Sequence, residues 1–174
     1  MRIGAVLGGL ALAFLATSAQ AADMYPPMQP APAYNPAAFQ FEGFYLGAQG
    51  AGILGGSLGS SSVGVVAGVN FSVDDPILAG VEFQGDWLMG SSASSTFDFF
   101  ALGRGGVVVM PAFLAYGEVG TGWAAGNPSY LLGGGGEYAL TDSLSVKGEV
   151  QGIGAWGSGF GAAKVQAGLL FHFQ

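Results

Sequence analysis

The residues of this chain that could do chemistry are a small set of charged side chains and one histidine. Only 9% of the 174 residues are charged. Carboxylates that lie close together can act as a general acid and base or bind a hard cation. The charged residues that share the polar positions of alternating segments are Glu82, Asp86, Asp98, Arg104, Glu118, Glu137, Lys147, Glu149 and Lys164. Which chemistry is open to them depends on the elements that carry them.

Other motifs give little support for catalysis. A nucleophilic triad requires a histidine that an acid orients beside a nucleophile. His172, the sole histidine, lies at the end of the last predicted strand, where we expect a rim position. The glycine-rich stretches "GRGG" and "GGGGEY" precede no predicted helix, and so they are not phosphate-binding loops. We therefore expect no catalytic residue, no cofactor and no bound metal.

The elements that carry the charges are strands, because apolar and polar residues alternate from Phe41 onward. In "LAGVEFQGDWLMG", Val81 and Phe83 fall on one face, and Glu82 and Gln84 fall on the other. The same pattern recurs in "EGFYLGAQGAG", "VGVVAGVNFSV", "FDFFALGRGGVVV", "AFLAYGEVGTGW", "YLLGGGGEYAL", "LSVKGEVQGIGAW" and "AKVQAGLLFHF". Tight turns such as "DDP" and "TDS" alternate with longer loops such as "GSLGSSS". The pattern predicts an all-β fold, an eight-stranded antiparallel up-and-down barrel with a turn end and a loop end.

The hairpin around "TDS" indicates what each face contains. The turn predicts facing pairs of Leu140 with Leu144, Tyr138 with Val146, and Glu137 with Lys147. This register places an ion pair between Glu137 and Lys147 on one face and apolar pairs on the other.

Aromatic residues form two bands on the apolar face. The loop-end girdle is Trp87, Phe97, Phe99, Trp123, Tyr130 and Trp156, and the turn-end girdle is Phe44, Phe71, Phe113, Tyr138, Phe171 and Phe173. Two aromatic girdles around an aliphatic band are typical of a surface that faces a bilayer. A soluble ligand-binding barrel would instead turn its apolar face inward. We therefore predict a transmembrane barrel whose polar face lines the lumen.

The chain divides into three predicted parts. Residues 1–22 have the basic start, apolar run and small-residue cleavage site of a secretory signal peptide. Residues 23–40 contain most of the prolines and are predicted to form an extended periplasmic tether, and residues 41–174 form the barrel. The net charge of −7 excludes a nucleic-acid partner. The absence of cysteine means that an exported barrel must be stable without disulfides.

Several motifs of the barrel region resemble those of one family. They are "FEGFYLG", "GVEFQGDW", the position of Arg104, and above all "GGGGEYALTDSLSVKGEV". On these motifs the chain resembles the small eight-stranded outer-membrane β-barrel proteins of alphaproteobacteria, described as porin-family or immunogenic outer-membrane proteins and distantly OmpA-like. The resemblance implies a location in the outer membrane of a Gram-negative bacterium, contact with outer-membrane lipids, and insertion by the barrel-assembly machinery.

The predicted lumen leaves two functional interpretations open. An eight-stranded interior is just wide enough to be filled by side chains, so the charged residues are predicted to form an ion-pair network in a non-enzymatic barrel with a structural or envelope-integrity role. Arg104, Lys147 and Lys164 are each expected to pair with at least one lumen acid. The alternative is a narrow, weakly cation-selective channel for small solutes or ions, because acids outnumber bases on the lumen face.

Overall fold

The computed structural model describes residues 39–55, 61–90 and 97–173. The predicted signal peptide, residues 23–38 of the predicted tether, and Gln174 lie outside the described residues. Within those ranges, no helix is long and apolar enough to cross a membrane.

Eight strands form one closed, all-antiparallel barrel, as predicted. They are β1 (Gly43–Leu54), β2 (Ser61–Asp74), β3 (Ile77–Met89), β4 (Phe97–Met110), β5 (Phe113–Ala124), β6 (Asn127–Ala139), β7 (Leu144–Ala155) and β8 (Phe160–Phe173). Each strand pairs with its neighbours in the chain, and β1 pairs with β8 to close the sheet. Closure leaves no free strand edge, so the strands satisfy one another's backbone hydrogen bonds without water.

The register predicted for the hairpin of β6 and β7 is confirmed. The facing pairs are Glu137 with Lys147 and Tyr138 with Val146. The N–H of Leu140 donates to the carbonyl oxygen of Leu144 at 2.8 Å. A short turn of polar residues therefore fixes which side chains share a face.

The two faces of the sheet differ as the alternation predicts. Large apolar side chains point outward in every strand, and Phe44 and Val119 are 67% and 60% exposed. Charged and amide side chains point inward, and Glu82 and Glu137 are fully buried. The interpretation with the apolar face inward is therefore wrong.

The interior is layered, however, and the predicted polar lumen is bordered at each end by a cluster of buried apolar side chains. The loop-end cluster consists of Ile53, Leu88, Phe100, Leu102, Ala124, Ala125, Leu131, Ile153 and Ala162. The turn-end cluster consists of Phe39, Phe41, Leu78, Ala112, Leu114, Tyr116 and Ala139. Most of these side chains lie at inward positions near the strand ends, and they pack together inside a narrow barrel.

The packed part of the chain begins earlier than predicted. The boundary after residue 40 places Phe39 in the tether, but Phe39 is buried, and its ring centroid lies 4.8 Å from that of Phe41 and 4.9 Å from that of His172. The backbone oxygen of Phe41 accepts a hydrogen bond from Asn70 Nδ2 at 2.8 Å. These contacts hold the segment before β1 against the turn end of the barrel. Burial of its two phenylalanine side chains away from water stabilises that arrangement.

Candidate functional site in the barrel interior

The candidate site lies between the two apolar clusters. We call it the middle layer, and it consists of the inward-facing side chains of Glu82, Gln84, Asp86, Arg104, Glu118, Glu137, Lys147, Glu149, Gln151, Lys164 and Gln166, each at most 5% exposed. The strands bring them together because every second residue of a strand in a closed barrel points to its axis. The remaining predicted lumen charge, Asp98, faces Asp86 in the register of β3 and β4 and lies beside the loop-end cluster.

Arg104 bridges two carboxylates across the lumen. Its Nη1 lies 3.1 Å from Glu82 Oε2, and its Nη2 lies 3.2 Å from Glu137 Oε2. Nη1 also donates to the hydroxyl of Tyr45 at 2.8 Å, and the guanidinium lies 3.8 Å from the ring centroid of Tyr116. A planar cation with several donors suits this position, since it pairs with acids and stacks on an aromatic ring at the same time.

Lys147 is the second bridging cation. Its Nζ lies 2.8 Å from Glu82 Oε1 and 3.0 Å from Glu149 Oε1. Because β7 and β3 are not neighbours in the sheet, the contact with Glu82 crosses the barrel interior. Glu82 therefore accepts from both bridging cations.

The predicted ion pair between Glu137 and Lys147 is wrong, although the two residues face each other in the register. The carboxylate of Glu137 instead contacts Arg104, accepts from Ser145 Oγ at 2.7 Å, and lies 2.8 Å from His172 Nε2. In so narrow a barrel a long lysine side chain reaches the far wall as easily as its own neighbour. Facing positions on adjacent strands therefore do not decide which charges pair.

The third base, Lys164, pairs nearer the loop end. Its Nζ lies 2.9 Å from Asp86 Oδ2, and the other oxygen of Asp86 accepts from Gln49 Nε2 at 3.1 Å. Asp98 has a different role, since its Oδ1 accepts from the backbone N–H of Ala125 at 2.7 Å. That contact satisfies a buried backbone donor in the turn between β5 and β6.

Glu118 lacks a basic partner in the described part of the chain. It lies opposite Arg104 in the register, but the guanidinium turns to two other acids. One oxygen of Glu118 accepts from Gln151 Nε2 at 2.7 Å, and the other, Oε2, has no hydrogen-bond partner among the described residues. It is therefore the least compensated carboxylate of the middle layer.

His172 does not have the geometry of a catalytic triad. Its Nε2 lies 2.8 Å from Glu137 Oε1 and 3.2 Å from Ser145 Oγ, so acid and hydroxyl meet the same ring nitrogen. A triad requires the acid and the nucleophile on different nitrogens of the ring. The histidine is buried under the ring of Phe39 instead of lying in an open cleft.

The predicted girdle residues all lie on the outer face. Ring pairs within each girdle include Trp87 with Phe97 at 5.2 Å and Phe171 with Phe173 at 5.2 Å between centroids. Tyr130 is less exposed than most of them because its ring covers Gly154, where a Cβ would come within 2.5 Å of the ring. The absence of a side chain at Gly154 thus lets the ring of Tyr130 lie against the outer face of the sheet.

Sequence reasoning missed several residues that complete both surfaces. Phe160 is 58% exposed and lies 5.3 Å from Tyr130 between ring centroids, so it extends the loop-end girdle. Inside, Gln84 donates to Glu82 at 2.8 Å, and Gln151 donates to Gln84 at 3.2 Å. The position of these glutamines on the polar face of a strand indicated that they point into the lumen. Their hydrogen-bond partners could not be predicted, because an amide has no charge that favours one partner.

Comparison with known proteins identifies the fold and no family. No protein-family model and no curated protein matches the sequence. A structure from the de novo design of transmembrane β-barrels is similar with a TM-score of 0.51 and 17% identity, over 78% of this chain and 99% of that chain. Neisserial surface protein A is similar with a TM-score of 0.51 and 14% identity, over 76% of this chain and 98% of that chain. At such low identity the likeness extends to the closed eight-stranded barrel alone.

Proposed function

We propose that this chain is a non-enzymatic integral barrel of the outer membrane of a Gram-negative bacterium, with a structural role in the envelope. The observation that carries the proposal is the outer wall of the barrel, on which large apolar side chains such as Val119 and Val150 are each 60% exposed. Monomeric soluble proteins rarely expose contiguous apolar patches of more than a few hundred square ångströms. A closed barrel that exposes this surface suits hydrocarbon, because its backbone groups are already paired.

The finer identity rests on the sequence. The "GGGGEYALTDSLSVKGEV" hairpin supports a relation to the porin-family, distantly OmpA-like barrels of alphaproteobacteria. The signal-like first 22 residues support export, and the alternating aromatics of "VQAGLLFHFQ" support insertion by the barrel-assembly machinery. In such barrels the short turns face the periplasm, which would place the turn-end cluster on that side.

The interior favours a structural role over conduction. A solute entering from the loop end would first meet Phe100, Leu102 and Leu131, which are at most 1% exposed. It would then meet the ion pairs of Arg104 and Lys147, and finally the turn-end cluster. The excess of acids on the lumen wall keeps the cation channel as the second candidate, but each apolar cluster presents a barrier to a hydrated ion.

Fluorescence quenching tests the membrane placement. The chain has three tryptophans, Trp87, Trp123 and Trp156, and all three lie on the outer face. In lipid vesicles we expect strong quenching by phospholipids that carry bromine on their acyl chains and weak quenching by aqueous iodide. A control protein with these tryptophans replaced by phenylalanine and with Phe100→Trp should resist both quenchers. Quenching of the three native tryptophans by iodide alone would contradict the proposal.

A further inference from the structure

The middle layer contains a cluster of three acids from different strands. One carboxylate oxygen from each of Glu82, Glu118 and Glu149 lies within 4.8 Å of the others, and none of the three residues is more than 3% exposed. Two glycines of β6 make room for them. A Cβ at Gly133 would lie 3.0 Å from Glu118 Oε1, and a Cβ at Gly135 would lie 2.8 Å from Glu149 Cγ. The glycines of β6 thus leave space for the side chains of Glu118, from β5, and Glu149, from β7, to lie against the inner surface of β6.

The bases of the barrel do not neutralise this cluster. Lys147 contacts one oxygen each of Glu82 and Glu149, and Arg104 contacts the other oxygen of Glu82. Glu118 receives no cation from the described residues. Over the whole interior, the acids outnumber the bases by three, since Arg104, Lys147 and Lys164 face six carboxylates, Glu82, Asp86, Asp98, Glu118, Glu137 and Glu149. Buried charges without counter-charges are strongly unfavourable, so a proton or a bound cation must compensate them.

Three buried oxygen atoms of the cluster and of its two glutamine neighbours have no hydrogen-bond donor among the described residues. Glu118 Oε2, Gln151 Oε1 and Gln166 Oε1 are buried and have no hydrogen-bond partner within the described ranges. Both glutamines end at the cluster, because Gln151 Nε2 lies 2.7 Å from Glu118 Oε1 and Gln166 Nε2 contacts Glu149 Oε2. The two glutamine side chains are at most 3% exposed, so bulk solvent does not supply the missing donors. Carboxylate and amide oxygens of this kind are the ligands of a hard cation.

We propose that the cluster of Glu82, Glu118 and Glu149 binds one calcium ion, with amide oxygens of Gln151 and Gln166 as further ligands. Calcium binds oxygen at about 2.3–2.6 Å, so two of its ligands can be about 5 Å apart. Oxygens within 4.8 Å of one another fit that limit. Magnesium requires about 2.1 Å and would draw the ligands to about 4 Å. The all-oxygen donor set also disfavours zinc, which binds nitrogen and sulfur ligands.

The site also dictates when the ion must enter. The loop-end and turn-end clusters close the interior on both sides, and a hydrated divalent ion does not cross an apolar layer readily. Calcium would therefore bind while the barrel closes and remain bound afterwards. A divalent ion would offset two of the excess negative charges, whereas a monovalent ion would offset one.

An order-of-addition experiment tests the proposal. Purified, unfolded protein is refolded into lipid vesicles with calcium or with EDTA, then washed with EDTA, and its calcium is measured by atomic emission. We expect about one calcium ion per folded chain when calcium is present during refolding, retained through the wash. We expect none when EDTA is present during refolding. Circular dichroism establishes that both samples are folded.

Matched variants locate the ion. Glu118→Gln should abolish retained calcium, whereas Asp98→Asn, at an equally buried acid outside the cluster, should retain it. Folded wild-type protein without calcium would overturn the proposal, and so would equal calcium in wild type and Glu118→Gln. The wild-type result is decisive even where a variant does not fold. A calcium-free barrel that still inserts into vesicles would leave the proposed membrane function standing.

Discussion

The middle layer and the two ends of the barrel interior fill the same narrow space with opposite chemistry. The middle layer consists of charged and amide side chains in mutual contact, such as Arg104 between Glu82 and Glu137. The loop-end cluster around Phe100 and Leu131 is apolar. Both regions lie at inward positions of the same strands, so the β alternation places them but does not determine their chemistry.

The contrast explains how so few charges can be concentrated in one place. The apolar ends keep bulk water away from the middle layer, and ion pairs are stronger where the local dielectric is low. The same isolation makes each unpaired charge strongly destabilising, so nearly every charge of the middle layer must have a partner of opposite charge. The apolar ends therefore determine how much each ion pair of the middle layer contributes to the stability of the folded barrel.

Loss of a bridging cation should have the largest effect. Lys147→Met leaves Glu149 without a basic partner and removes one of the two cations at Glu82. We expect the free energy of unfolding in lipid vesicles, measured with urea, to fall by about 3–5 kcal/mol. Lys147→Arg keeps the charge and should cost less. A loss below about 1 kcal/mol from Lys147→Met would be that of a solvated pair and would contradict an isolated middle layer.

A cavity in an apolar end should have the next largest effect. Leu131 is fully buried in the loop-end cluster, and its neighbour Leu132 is 54% exposed on the outer face. Leu131→Ala should lower the free energy of unfolding by about 2–4 kcal/mol, because no side chain refills the space. Leu132→Ala should cost less than about 1 kcal/mol, because lipid chains are as apolar as leucine and fill the gap. Equal losses for the two variants would mean that the cluster is not a packed interior.

The anchor of the turn-end segment should have a smaller effect. Asn70→Ala removes the donor to the backbone oxygen of Phe41 and leaves that oxygen buried without it. We expect a loss of about 1–2 kcal/mol in the same urea assay. Ser72→Ala, two residues further along β2 at an exposed position, serves as the control and should be neutral. If both variants are neutral, the segment before β1 does not contribute to the closure of the turn end.

The smallest effect should come from Glu118, whose charge is uncompensated without added cation. In protein refolded with EDTA, Glu118→Gln should leave the free energy of unfolding unchanged or raise it by up to about 1 kcal/mol, because a neutral amide replaces a buried charge. Glu82→Gln, which weakens contacts with Arg104 and Lys147, should be strongly destabilising. If both variants lose stability equally, Glu118 has a cationic partner after all.

The fold could be predicted from the sequence because its determinants are local. The alternation of Val81 and Glu82 assigns the faces of β3, and the "TDS" turn fixes Glu137 opposite Lys147. The partners of the charges could not be predicted in the same way. Lys147 pairs with Glu82, which lies 65 residues away in the chain, and only closure of the barrel brings them together.

The division of the interior into a polar middle and two apolar ends could not be predicted from the alternation either. In "FDFFALGR" both faces carry apolar residues, since Phe99 points outward and Phe100 inward. The alternation therefore identifies which positions of β4 point inward. It does not show that one of them, Phe100, belongs to an apolar cluster at the end of the barrel. Phe39 was missed because it follows a proline-rich stretch that is typical of a tether.

We propose that this barrel spans a membrane without conducting, because two apolar ends enclose a paired middle layer. Single-channel recording in planar lipid bilayers tests it most directly, with wild type and Arg104→Ala compared at the same protein density. We expect no conductance steps from the inserted wild-type protein. Steady, cation-selective steps from wild type, enlarged in Arg104→Ala, would contradict it and favour the channel.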